Sequence, residues 1–93
     1  MPLTEPQAKV LGVLAGLKPA EALTVRELCS ATGLNPSRAR AIVTRLSYDG
    51  LLSGTSRTPA AYWITTHGRA IIQKPAYRDY VRRHDITVSG VIR

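Results

Sequence analysis

The chain is short of several things that would direct it elsewhere. It has no phenylalanine, one cysteine, two histidines and six acidic residues among 93. A lone Cys29 excludes an intrachain disulfide. Mid-helix beside Leu28, it reads as a small core or boundary residue; the alternative is a redox-sensing thiol, for which Arg26 is the only local cation. Metal binding needs clustered ligands, but His67 and His84 stand seventeen residues apart, with Cys29 far from both. Without paired carboxylates there is little for acid–base chemistry, and the scattered glycines form neither a GxxxxGK nor a GxGxxG pattern. The expectation is therefore a protein that is not an enzyme and takes no cofactor or metal. No run approaches the ~18–20 apolar residues of a membrane span, and the N-terminus lacks a basic region followed by an apolar one. No membrane partner is expected, and the simplest residence is cytoplasmic. With no Phe, the core must come from leucine, isoleucine and valine, with Trp63.

What is present is positive charge, and it is unevenly placed. Residues 1–35 hold three basic residues (Lys9, Lys18, Arg26) and three acids (Glu5, Glu21, Glu27). Residues 36–93 hold ten basic and three acidic residues, so the whole formal charge of +7 falls there. Such asymmetry marks a surface for a polyanion. A membrane-surface segment would give the same charge but needs an exposed helix with bulky apolar residues. The apolar stripes here are short and look committed to a core.

The run Leu23 to Leu52 carries dense helix punctuation. Thr24 and Glu27 form a capping box, with Leu23 and Leu28 as its hydrophobic staple. Gly33 after Thr32 stops that helix in a left-handed turn. Asn35 caps the next helix, Pro36 takes its first position, and Asp49-Gly50 ends it. The prediction is a helix over Val25 to Thr32 and another over Pro36 to Tyr48. The latter has a core stripe of Ala39, Ile42, Val43 and Leu46. Ser37, Ala41, Thr44 and Tyr48 lie opposite, flanked by Arg40 on one side and by Arg38 and Arg45 on the other. Small and hydroxyl-bearing residues allow close approach to a groove, and marginal arginines reach guanine edges or phosphates. The plain alternative is a solvated basic face.

After this helix, Leu51-Leu52-Ser53 starts a strand, Gly54 to Pro59 is a turn-rich loop with Arg57, and Ala61 to Thr65 is a second strand rich in aromatic and β-branched residues. An earlier helix, about Glu5 to Leu17, begins with a capping box of Thr4 and Gln7 and offers Val10, Leu11, Leu14 and Leu17 to the core. Thr65 or Thr66 caps a short helix through Ile71-Ile72, which Pro75 interrupts. His67 at its start reads as an exposed or phosphate-contacting residue. The connection Lys18-Pro19-Ala20-Glu21 is too short for a domain linker.

In this order and spacing the parts resemble a winged helix-turn-helix domain of the MarR-like and PadR-like transcription regulators. The matching residues are Asp49, Gly50, Leu51 and Leu52 leaving the second helix of the motif, then Tyr62, Ile64, Thr65 and Gly68 leaving the wing. The resemblance covers roughly Thr4 to Gln73. It departs in two places: those families usually carry an extended dimerisation helix, for which this chain is short, and the wing, at about six residues, is short too. The resemblance implies an α+β, mainly helical fold with a three-helix core, a β-hairpin wing and a C-terminal helix or helices. It also implies binding to double-stranded DNA.

The expected organisation is a winged domain over 1–74 and a C-terminal helix and tail over 75–93. Ala76 to His84 reads as a helix with Tyr77, Tyr80 and Val81 on one side, and Ile86 to Ile92 as a β-prone run. This part packs on the domain as a loose tail, drives dimerisation, or adds phosphate contacts. The DNA contacts expected are Asn35, Ser37, Arg38, Arg40, Ala41, Thr44, Arg45 and Tyr48 on the recognition helix, with Arg57 and Thr58 on the wing. The reading is a small regulator acting as a homodimer, with no small-molecule ligand evident. Two alternatives stand beside it. One is a DNA-binding module of a replication, partition or mobile-element protein. The other is a winged helix used for protein–protein contacts, against which the retained arginines count.

Overall fold

Each long helix begins where a side chain satisfies free N–H groups at its first turn. Ahead of α1 (Glu5–Ala15), Thr4 Oγ1 accepts from the Gln7 amide at 3.3 Å, and Gln7 Oε1 accepts from the Thr4 amide at 3.0 Å. Thr24 and Glu27 repeat this reciprocal pair ahead of α2 (Val25–Thr32). Asn35 Oδ1 accepts from the Arg38 amide at 2.8 Å to open α3 (Pro36–Tyr48). Gly33, at φ 78°, closes α2 with its amide on the Cys29 carbonyl. These are the elements of a computed structural model, which describes residues 3–18 and 21–81.

α1 ends two residues before the expected Leu17. Its last turn tightens, with Gly16 bonding back to Val13 and Leu17 to Leu14, as often happens at helix ends. Leu17 still packs half-buried on the core.

The wing strands are β2 (Leu52–Gly54) and β3 (Ala61–Ile64). The structure adds a strand, β1 (Leu23–Thr24), on the other side of β3, so the hairpin belongs to a three-stranded antiparallel sheet ordered β1-β3-β2. Thr24 faces Ala61 in that ladder and caps α2 as well. The start of α2 is thereby held beside the root of the wing.

The core is aliphatic. Leu11, Leu14, Leu28, Leu46 and Ile72 are its largest fully buried side chains. The predicted stripe Ala39, Ile42, Val43 and Leu46 is buried as a set. Trp63 is a correction: it does not build the core but remains 39% exposed. Successive side chains on a strand point to opposite faces. Ile64 takes the buried face of β3, so Trp63 turns outward to line a surface concavity with Leu17, Ala22 and Arg69.

One joint ties the end of α3 to the exit of the wing. Thr65 caps α4 (Thr66–Ile72), its Oγ1 accepting from the Gly68 amide at 3.0 Å. The same hydroxyl donates to the Gly50 carbonyl at 2.7 Å, and the Thr65 amide donates to the Leu51 carbonyl at 3.1 Å. Gly68 lies directly over Leu51, and a Cβ there would collide with the Leu51 carbonyl.

Beyond α4, a 3-10 turn (Pro75–Tyr77) leads into helical residues 78–81. Tyr77, Tyr80 and Val81 pack against the core, as their shared side predicts, and the Leu3 amide donates to the Tyr77 hydroxyl at 2.8 Å. Residues 82–84 of the helix expected over Ala76–His84 and the β-prone run Ile86–Ile92 lie outside the described residues, as do Pro19 and Ala20.

Gly68→Ala is expected to destabilise the domain by about 1–3 kcal/mol through overpacking. That lowers Tm by about 4–8 °C per kcal/mol for a domain of this size. The exposed neighbour His67→Ala should stay within about 0.5 kcal/mol. Thermal unfolding followed by circular dichroism reads both; equal melting temperatures for Gly68→Ala and the wild type would contradict the close approach.

Candidate nucleic-acid interface

The outward side of α3 is a ridge of small residues. Ser37, Ala41 and Thr44 are exposed along it, and Tyr48 stands at its end with 86% of its surface in solvent. Thr44 Oγ1 donates to the Arg40 carbonyl at 2.9 Å, which leaves that oxygen to accept from a ligand. Asn35 sits at the N-terminal foot, its side-chain oxygen occupied by the cap and its amide nitrogen in no hydrogen bond among the described residues.

The arginines divide between the two flanks. Arg38 and Arg45 are on one side. Arg45 Nε donates to Asp49 Oδ2 at 3.2 Å, an exposed i,i+4 pair of the kind worth a few tenths of a kcal/mol. Arg45 and Asp49 share a concavity with Gln7 of α1 and His67 of α4, which places His67 on this flank. Arg40 is on the other side, toward the wing. It lines an open groove of about 890 Å³ together with Thr44, Thr58 and Pro59. Among the described residues, Arg38, Arg40 and Arg57 form no ion pair.

The wing is short because Thr55 closes it early. Its amide donates to the Ala61 carbonyl at 2.9 Å, and its Oγ1 accepts from the Ala61 amide at 3.1 Å. Only Ser56 to Ala60 project beyond that clasp, with Arg57 and Thr58 both exposed. The ten residues singled out from sequence are all exposed; Arg40, Thr44 and Thr58 come together along one groove, while Arg45 lies on the other flank, partly neutralised by Asp49.

One basic residue beside this groove was read from sequence only as a neighbour of Cys29. Arg26, exposed in the first turn of α2, lines the same groove as Arg40. It belongs to the electrically neutral third of the chain, and only the β1–β3 pairing carries it to the wing. Cys29 is half-buried in the wall of that groove. Among the described residues, no three His, Cys, Asp or Glu side chains gather to hold a metal ion, and no helix is long and apolar enough to cross a membrane.

No protein-family model matches the chain, and no curated protein matches it in sequence. Solved structures do match in fold. A MarR family transcriptional regulator from Silicibacter pomeroyi superposes with a TM-score of 0.69 at 21% identity, over 96% of this chain and 62% of its own. A MarR family protein from Bacillus stearothermophilus gives 0.66 at 22%, over 99% of this chain and 61% of its own. BpsR of Bordetella bronchiseptica, whose DNA binding is regulated by 6-hydroxynicotinic acid, gives 0.70 at 19%, over 97% and 72%. The chain thus spans about three fifths of the length of the first two. At this level of identity the likeness is one of architecture: the fold of this chain is the winged helix of MarR-family regulators.

Proposed function

We propose that the protein binds double-stranded DNA sequence-specifically and acts as a small transcription regulator. One observation carries the reading: a ridge of small residues on α3, flanked by Arg38 and Arg40, which form no ion pair among the described residues, beside an exposed wing tip bearing Arg57. It lies in the part of the chain that holds all of the net positive charge. α3 enters the major groove, where Ser37, Ala41, Thr44 and Tyr48 approach base edges and methyl groups. Arg40, on the shoulder of the ridge, forks onto a guanine edge. Arg38 and Arg45 reach phosphates on the far flank, and Arg57 and Thr58 reach the adjacent minor groove or its backbone. The matched regulators support the reading because the same architecture carries regulated DNA binding in BpsR.

Duplex binding should weaken steeply as salt rises, because several phosphate contacts release counterions. An affinity that does not change with salt, or no binding even at low salt, contradicts the reading and favours a winged helix used for protein contacts.

Arg40→Ala is expected to lose about 1–3 kcal/mol on the preferred site and to relax base preference there. Arg57→Ala should weaken matched and scrambled duplexes by similar factors, with a shallower salt slope. Fluorescence anisotropy on both duplexes separates them. If Arg40→Ala lowers both affinities equally, Arg40 is a phosphate anchor and the ridge alone reads sequence.

We also propose that the protein works as a homodimer, since one winged helix covers few base pairs and dimers read two half-sites. Tyr77, Tyr80 and Val81 are half-buried against their own domain. The rest of the tail expected to drive dimerisation lies outside the described residues. Sedimentation of the full chain should show a dimer at roughly tens of micromolar; a monomer at that concentration removes the idea.

A further inference from the structure

We infer that the groove between α2, α3 and the wing root seats the sugar–phosphate backbone of one DNA strand, with Arg26 as its anchor. The inference rests on the DNA-binding reading above and adds a positioning residue outside the recognition helix and the wing.

The argument begins with the duplex. Its major and minor grooves are separated by a single sugar–phosphate strand. A protein with α3 in one groove and the wing in the next must let that strand pass between them. The space it has is the open groove of about 890 Å³, bounded by α3, the wing root and the first turn of α2. No acidic residue lines it, and Arg26 and Arg40 do. Neither arginine has an acidic partner among the described residues, and Glu27, beside Arg26, is spent on the Thr24 cap. The two guanidinium groups therefore reach the groove unneutralised and match a phosphate in charge and geometry.

The two differ in what they can reach. Arg40 is on the shoulder of the ridge, within range of base edges. Arg26 stands across the groove on another helix, so its range ends at the strand. Its position is fixed from two directions. The capping box sets the first turn of α2, and the Thr24–Ala61 pairing holds that turn against the wing root. A phosphate held by Arg26 would thus set the depth and angle at which α3 enters the major groove.

The test uses the full chain and duplexes of matched and scrambled sequence. Arg26→Ala is expected to weaken both by the same factor, roughly tenfold for a lost charged hydrogen bond. The slope of log affinity against log salt should become shallower by about one. Arg26→Lys should restore most of the slope, because a lysine also neutralises a phosphate. A second measurement uses the single cysteine on the groove wall: a bulky maleimide on Cys29 should block binding, while Cys29→Ser treated with the same reagent keeps it, both folded by circular dichroism. If the wild type binds DNA and Arg26→Ala binds equally well, the anchor is wrong and the DNA reading stands. An affinity loss with an unchanged salt slope, or a folded Cys29 adduct with full affinity, overturns it as well. A wild type that binds no duplex removes both readings together.

Discussion

The joint between Thr65 and the Gly50–Leu51 backbone is what the rest of the molecule depends on. One hydroxyl caps α4 and also grips the end of α3, and the adjacent amide takes the next carbonyl along. Gly68 leaves the space for it. α3, both wing strands and α4 meet at this point. The angle between α3 and the wing is therefore set by two hydrogen bonds and one close backbone contact, and not by the length of a flexible connection. Each bond alone is modest. Their joint effect comes from sitting where three elements would otherwise move separately.

A second lock works at the opposite edge of the sheet. Thr24 is the last residue of β1 and the cap of α2, so the helix-turn-helix unit and the wing share a residue's backbone pairing. The two locks tie α2, α3 and the wing together. If these elements hold a repeating polyanion as proposed, such ties reduce the conformational freedom surrendered on binding.

Local causes were legible in the sequence, and distant ones were not. The starts of α1 to α4 could be read because a cap acts within three residues: Thr4, Thr24 and Asn35 declare themselves beside their targets, and the fourth cap was narrowed to Thr65 or Thr66, of which the structure uses Thr65. The stripe of α3 was readable for the same reason, since it repeats within one helix. β1 was not. Two residues have no periodicity, and their strand character exists only because Ala61 and Tyr62 come to lie beside them. Arg26 was therefore read only as a neighbour of Cys29, since nothing near it in sequence marks it as a neighbour of the wing. Trp63 was misplaced by composition: in a chain without Phe an indole looks indispensable to the core, yet the pleat of β3 reserves the inward position for Ile64.

The clasp at Thr55 has one more consequence. A wing cut to Ser56 through Ala60 has a small surface and few torsions to immobilise. Longer hairpins can sample, curl and order themselves along a partner, and they give up entropy to do so. On the DNA-binding reading proposed above, so short a tip would follow a duplex for only a step or so, and any local widening or narrowing there would be made by the duplex. Sequences that bend easily beneath the tip would then be favoured even at positions that no side chain touches.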